Sequence, residues 1–167
     1  MDAKSLDLEL LIYYKNMKNK IIIYTDGAAR GNPGPAGWGA VIFIGEKIVE
    51  LGGRSDHSTN NIMELTAAIE AMNYLKNHLP EAEHIEIHSD SKYVINGVNE
   101  WIHNWVKNGW RTAAKKPVLN QLLWEALHEL NQELKPKWHY VAGHSGHDHN
   151  DRADLIATSF ADGEPVI

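Results

Sequence analysis

The sequence predicts an α/β fold, a single domain built on a mixed sheet flanked by helices. Three observations predict it. Residues 20–25, Lys-Ile-Ile-Ile-Tyr-Thr, form a near-continuous β-branched run of the kind found in buried central strands. Leu65, Ala68, Ile69, Met72 and Leu75 recur at helical spacing, as do Leu119, Leu122, Leu123, Ala126, Leu127 and Leu130. Strand-like and helix-like stretches also alternate along the chain, as layered α/β domains require.

Taken in order, residues 1–19 come first. Leu6, Leu8, Leu10, Leu11 and Ile12 fit neither a helical nor a strand period, so this stretch is expected to be a weakly ordered N-terminal extension. The domain proper is expected over residues 20–167. The first strand ends at Asp26-Gly27 and leads into a turn-rich loop, Gly31-Asn32-Pro33-Gly34-Pro35. Residues 38–44 and 47–54 then read as a hairpin closed by Gly45-Glu46. Ser58-Thr59-Asn60-Asn61 is a cap-like cluster opening a helix that runs to about His78 and is stopped by Pro80. A short strand follows at 85–88 and ends at Ser89-Asp90. Helices are expected at about 91–98, 100–107 and 118–134, a last strand at 136–141 and a last helix from about Asn150 to Ala161. The order is three strands, helix, strand, three helices, strand, helix.

Composition narrows the function classes. Apolar residues make up 43% of the 167 and charged residues 23%, which is ordinary for a soluble domain of this length. There is no cysteine, so disulfides and thiolate chemistry are excluded. No apolar run is long enough to span a bilayer, and the start of the chain lacks the features of a signal peptide. A cytoplasmic protein without membrane contact is therefore expected, and a monomer is the expected state. Lys plus Arg number 16 against 22 Asp plus Glu, a net charge of −6 that runs against nucleic-acid binding unless positive charge is local or supplied by bound metal.

Four acids stand where elements begin or end. Asp26 closes the first strand, Glu64 lies in the first turn of the first helix, Asp90 closes the fourth strand, and Asp154 lies in the first turn of the last helix. Each has a local explanation. Asp26-Gly27 could be only a turn, Glu64 part of a capping box, Asp90 an N-cap, and Asp154 a partner of the helix dipole. Together they point elsewhere, because ligands of open α/β sheets bind beyond the carboxyl ends of the strands. Unit charges about 4 Å apart repel by about 4 kcal/mol per pair at an effective dielectric of about 20, so a convergent cluster calls for cations or protons. Carboxylate oxygens suit Mg²⁺ or Mn²⁺. Four of them suit two ions about 3.5–4 Å apart, the arrangement for in-line phosphodiester hydrolysis.

The motifs resemble type 1 ribonuclease H. They are Tyr24-Thr25-Asp26-Gly27-Ala28 with Gly31-Asn32-Pro33-Gly34; Thr59-Asn60-Asn61-Ile62-Met63-Glu64-Leu65; Ser89-Asp90-Ser91-Lys92-Tyr93-Val94; Trp101-Ile102-His103-Asn104-Trp105 through Gly109-Trp110; and Gly143-His144-Ser145-Gly146-His147 leading to Asn150-Asp151-Arg152-Ala153-Asp154. They occur in the family's order over about residues 20–160. The resemblance implies a ribonuclease H-like fold, a five-stranded mixed sheet flanked by helices. It implies an endonuclease that hydrolyses the RNA strand of RNA–DNA hybrids and leaves 5′-phosphate and 3′-hydroxyl ends. Asp26, Glu64, Asp90 and Asp154 would hold two divalent metals, and His144 would assist proton transfer or product release. A zinc site of His144, His147 and His149 is the rival reading of that loop, weakened by the lack of a clear fourth ligand.

The same resemblance places Gly27, Asn32, Asn60 and Lys92 against the hybrid near the cut and Thr59 in a DNA-phosphate pocket. Residues 99–116 match the family's basic protrusion, with Lys107, Arg111, Lys115 and Lys116 against one acid, Glu100. Trp101 and Trp110 are expected near the DNA strand and Trp105 nearer the core. The chain departs from the family in two places. Val106 and Asn108 make the protrusion less basic, and Ile62 stands where many members carry arginine. The alternatives are a non-catalytic hybrid-binding module and a related two-metal nuclease with another nucleic-acid substrate.

Overall fold

The β-branched run opens β1 (Ile21–Ala29), the middle strand of a five-stranded sheet ordered β3-β2-β1-β4-β5. The structure, a computed structural model, describes residues 3–17, 20–143 and 148–167. On one side of β1, β2 (Gly34–Ile44) and β3 (Lys47–Ser58) add antiparallel. On the other, β4 (Ile85–Ser89) and β5 (Lys137–Tyr140) add parallel. The expected mixed sheet flanked by helices is what forms. β1 runs past Asp26 to Ala29, although Gly27 and Ala28 are poor strand formers. Pairing of Gly27 with Trp38 and of Ala29 with Ala36 on β2 holds them extended, a tertiary effect that local propensity does not contain.

Alternation divides the sheet into two faces. Ile21, Ile23, Ile85 and Ile87 enter the main core beneath α2 (Asn60–His78) and α5 (Gln121–Leu134). Tyr24 and Val41 point to the opposite face, where α6 (Asp148–Asp162) lies with Ala153 and Ile156. A Cβ on Gly39 would stand 2.5 Å from the Ala153 carbonyl oxygen, so glycine is what allows α6 to rest directly on β2. Arg54 donates to the Phe160 and Ala161 carbonyls at 2.7 and 2.6 Å, and Arg30 is paired with Asp162, fixing the far end of the same helix.

Two helical expectations are corrected. The helices foreseen at 91–98 and 100–107 form one continuous stretch, α3 (Lys92–Asn96), a π turn (Gly97–Trp101) and α4 (Ile102–Lys107). A Cβ on Gly97 would collide with the ring of Trp124, which is fully buried and donates its indole N–H to the Tyr93 hydroxyl at 3.0 Å. That ring also sets the inward face of α5. Trp124, Leu127 and Leu130 are buried, whereas Leu119 and Leu122 are 75% and 80% exposed. Asn120, left-handed at φ 59°, breaks the chain before α5, so Leu119 is never part of that helix.

The N-terminal extension also differs from the expectation of weak order. Residues Ala3–Met17 form a helix, α1, and Leu10 and Tyr14 are buried in the main core. The Tyr14 hydroxyl accepts from the Glu83 amide at 2.8 Å, and Asp7 pairs with His78 at 2.6 Å. Tyr13 accepts from the Glu46 amide at 3.0 Å and lies under Lys47, at the tip of the β2–β3 hairpin. The apolar residues of this segment look aperiodic because its contacts go to two separate parts of the domain. Leu10→Ala is expected to cost about 2 kcal/mol or more, the range for emptying a buried leucine site, read as a lower midpoint in urea unfolding. An unchanged midpoint would mean that α1 contributes nothing to the core.

Candidate active site

None of the four local explanations for the acids survives in the structure. Asp26 and Gly27 are paired strand residues, opposite Gly39 and Trp38, rather than a turn. Thr59 caps α2, its hydroxyl accepting from Ile62 N at 3.2 Å, so the capping-box position is Ile62 and Glu64 lies two residues further in. The helix after β4 is capped by Ser91, not Asp90. Asp154 is the seventh residue of α6, beyond the first turn where a helix dipole acts.

What the four share is one edge of the sheet. β1 and β4 run parallel and their pairing ends at Thr25 with Ser89, which leaves Asp26 and Asp90 side by side at the carboxyl ends. The start of α2 closes over them because residue 27 is glycine. A Cβ there would overlap the Glu64 amide and lie 2.8 Å from Met63 Cβ. Asp26, Glu64 and Asp90 each offer a carboxylate oxygen within 4.8 Å of the others. Asp154 arrives from the opposite face on α6, near enough to share a side-chain hydrogen bond with Asp26. Gly143 borders the cluster, since a Cβ on it would stand 2.9 Å from Asp90 Oδ2.

The electrostatics follow from that crowding. Asp26 is 5% exposed and Glu64 9%. Burial, then the charges of Asp90 and Asp154 together with the Asp154 hydrogen bond, push Asp26 up to about 8, while a hydrogen bond with Glu64 opposes the rise. Burial followed by the charges of Asp26 and Asp90 holds Glu64 well above the usual carboxylate range. The Gly27 amide also eases the charge, donating to Asp26 Oδ1 at 2.8 Å and lowering Glu64. Glu64 Oε2 is buried with no hydrogen-bond partner. An orphaned carboxylate oxygen among crowded acids is the donor set that a hard divalent cation satisfies.

The other predicted residues fall into three groups. Asn32 and Asn60 fasten the β1–β2 turn to the start of α2: Asn32 Oδ1 accepts from the Asn60 amide at 3.1 Å and Asn60 Oδ1 from the Ala29 amide at 2.8 Å. Thr59 adjoins them, and Lys92, the first residue of α3, is exposed with its Nζ 6.0 Å from the Tyr140 ring. Lys107, Arg111, Lys115 and Lys116 are all exposed, Lys107 at the end of α4 and the others on the loop that follows, which is closed by Arg111 donating to the Lys115 carbonyl at 2.9 Å. Trp101, Trp105 and Trp110 are half-buried in a chain of ring contacts at 5.9 and 6.2 Å, and Trp105 reaches Trp124 at 5.4 Å. All three therefore anchor the loop to the core, not Trp105 alone. His144 lies outside the described residues, as does His147. Sequence reasoning passed over Glu86, His88 and His139, which share one face of β4 and β5; the signal was the period of two in Glu86-x-His88-x-Asp90.

With this geometry in view, comparison with known proteins is decisive. The family model for RNase H matches residues 18–162. The chain belongs to the ribonuclease H family. A Ribonuclease H of Mesorhizobium japonicum is 52% identical over 141 residues, covering 84% of this chain and 77% of the relative. One of Thermosynechococcus vestitus is 52% identical over 145 residues, covering 86% and 90%. Among solved structures, LC9-RNase H1, described as a type 1 RNase H with the type 2 active-site motif, superposes with a TM-score of 0.76 at 27% identity, covering 86% of this chain and 72% of that one. LC11-RNase H1 in complex with an RNA/DNA hybrid gives 0.65 at 26% identity, covering 86% and 98%. The five-stranded sheet of this family is the one described above. Among the described residues no helix is long and apolar enough to cross a membrane.

A carboxyl raised on folding stabilises the fold only while it stays protonated. The contribution of Asp26 is full below its ordinary value of 3.8 and is lost as pH rises through about 8. In EDTA the protein is therefore expected to melt lower at pH 8 than at pH 5. Asp26→Asn should raise the pH 8 melting temperature by about 2–4 °C for each kcal/mol of relieved repulsion and flatten the pH dependence. Differential scanning calorimetry of both proteins checks this, and a wild-type profile that rises toward pH 8 would contradict it.

Proposed function

We propose that this chain is an endonuclease that hydrolyses the RNA strand of RNA–DNA hybrids and leaves 5′-phosphate and 3′-hydroxyl ends. Asp26, Glu64, Asp90 and Asp154 are the proposed ligands of two divalent cations, Mg²⁺ or Mn²⁺. The observation that carries the reading is the convergence of Asp26, Glu64 and Asp90 within 4.8 Å at the sheet edge, with Asp154 joined to Asp26. When bound, the cations would supply an activated water and stabilisation of charge on the leaving 3′ oxygen.

The protein's own part is to hold that charge in place and to orient the substrate. Buried Asp26 and Glu64 sit on a strand and a helix rather than on a loop, so their carboxylates are fixed before substrate arrives. The Gly27 amide points into the same space. Asn32 and Asn60, tied to each other across the β1–β2 turn and the start of α2, and Thr59, which caps α2, form a polar rim beside the acids, suited to the sugars and phosphates of a hybrid. Lys92 adds an exposed cation next to Asp90. His144, one residue beyond Gly143, is proposed to move a proton at the scissile phosphate, work that suits an imidazole near neutral pH. Positive charge at Lys107, Arg111, Lys115 and Lys116 is proposed to hold backbone phosphates, with the edges of Trp101 and Trp110 against the DNA strand. The protein is further proposed to act as a cytoplasmic monomer.

The direct test is a gel assay with one labelled RNA, presented as an RNA–DNA hybrid, as duplex RNA and alone, with Mg²⁺ and with EDTA. Mg²⁺-dependent cutting confined to the hybrid is expected. Absence of cutting by folded protein in either Mg²⁺ or Mn²⁺ would leave a hybrid-binding module. Asp26→Asn should abolish cleavage while hybrid binding persists, and near-normal turnover in that variant would remove the metal assignment. Lys115→Ala combined with Lys116→Ala should raise KM and reduce the slope of log affinity against log salt by roughly 0.7–0.9 for each phosphate no longer neutralised. Salt titrations of hybrid binding measure that slope, and an unchanged value would take the protrusion out of the interface.

A further inference from the structure

The face of the sheet that carries Tyr24 continues across β4 and β5 as a row of aromatic rings. Tyr24 stacks on His88 at 4.8 Å between centroids, and His88 stacks on His139 at 4.8 Å, with interplanar angles of 22° and 21°. The three residues are direct neighbours in register across parallel strands. Glu86, one pleat earlier on β4, reaches both imidazoles. Its Oε2 lies 3.6 Å from His88 Nε2 and its Oε1 3.6 Å from His139 Nε2.

Those separations are informative. At 3.6 Å neither contact is a hydrogen bond. Both Nε2 atoms are shielded from solvent and have no hydrogen-bond partner, although a nitrogen so placed ordinarily finds one. Two ligands about 2.0–2.2 Å from a tetrahedral metal are roughly 3.3–3.6 Å from each other. Glu86, His88 and His139 offer ligand atoms that all lie within 4.8 Å of one another.

We infer that Glu86, His88 and His139 form a second metal site, specific for a borderline divalent ion of the Zn²⁺ class and separate from the carboxylate cluster. The donor set of two imidazoles and one carboxylate favours Zn²⁺ over Mg²⁺, which the all-oxygen cluster prefers. The fourth position is open to water. Lys20 is the competitor: its Nζ holds Glu86 Oε1 at 2.9 Å, and its side chain is 53% exposed, so it can swing aside. A bound ion would clamp edge strand β5 to β4 roughly 7 Å along the strand from Asp90, at the 3.3 Å rise of a parallel strand.

The test is calorimetric titration of Zn²⁺ into the full chain at neutral pH with excess Mg²⁺. One saturable equivalent is expected, and it should persist in Asp26→Asn. His139→Ala should weaken it by at least about 10-fold, the lower end of what disturbing a metal-site residue costs, and so should His88→Gln, both checked for folding by circular dichroism. Lys20→Met should tighten it, and an affinity equal to wild type would overturn Glu86 as a ligand. Absence of saturable Zn²⁺ binding overturns the proposal. So does binding that survives both histidine substitutions, or that is lost in His147→Ala while His139→Ala is unaffected, since the ion would then belong to the loop after Gly143.

Discussion

Everything in this structure serves one electrostatic imposition, the confinement of mutually repelling carboxylates at the carboxyl edge of β1 and β4. Left to themselves these groups would separate or take up water. The fold holds them together and buries Asp26 and Glu64. Backbone pairing of β1 with β4 places Asp26 beside Asp90, and α2 closes over Gly27 with Glu64 in train. From the other face α6 rests on Gly39 and delivers Asp154. The driving force that holds the acids together is therefore supplied elsewhere, by the apolar core under α2 and α5. Residual charge at the edge is what a divalent cation, and then the phosphates of a nucleic acid, would neutralise.

Alternation along the strands gives the sheet two unlike faces. One carries the main apolar core. The other carries tyrosine, histidine and glutamate in the rows that lead up to Asp26 and Asp90. The polar row is tolerated because α6 covers β1, β2 and β3 but leaves β4 and β5 partly open. Two donor sets of different hardness thus stand on neighbouring strands of one sheet, oxygen-only around Asp26 and Asp90 and imidazole-rich on β4 and β5. Hard and borderline metals would partition between them by ligand type rather than by net charge.

The acidic balance of the chain is reconciled with a nucleic-acid substrate by separation. Negative charge that matters for chemistry is gathered at the sheet edge, while Lys107 at the end of α4 and Arg111, Lys115 and Lys116 on the loop after it are exposed. That loop is not floppy decoration. Trp101, Trp105 and Trp110 run as a half-buried ladder into Trp124, and Trp124 occupies the space that Gly97 vacates. The tryptophans hold the backbone so that the cations can face outward.

The fold class was legible in the sequence, and so was the gathering of Asp26, Glu64 and Asp90 at one edge. Strand and helix periods are local, and the acids stand in motifs whose spacing survives any reading of the elements between them. The helix at Ala3–Met17 was not legible, because its buried residues answer to α2 and the hairpin tip rather than to a repeat of their own. Nor was the exposure of Leu119 and Leu122, which depends on a left-handed Asn120 and on the larger ring of Trp124 claiming the inward side. The sequence by itself determined which groups could do chemistry, since that is a matter of side-chain type and pattern. Only the tertiary structure decided which groups meet. Whether Asp90 is a cap or stands beside Asp26, and whether His88 and His139 are two ordinary histidines or one pair, depends on strand register between residues distant in the chain, and no local periodicity encodes it.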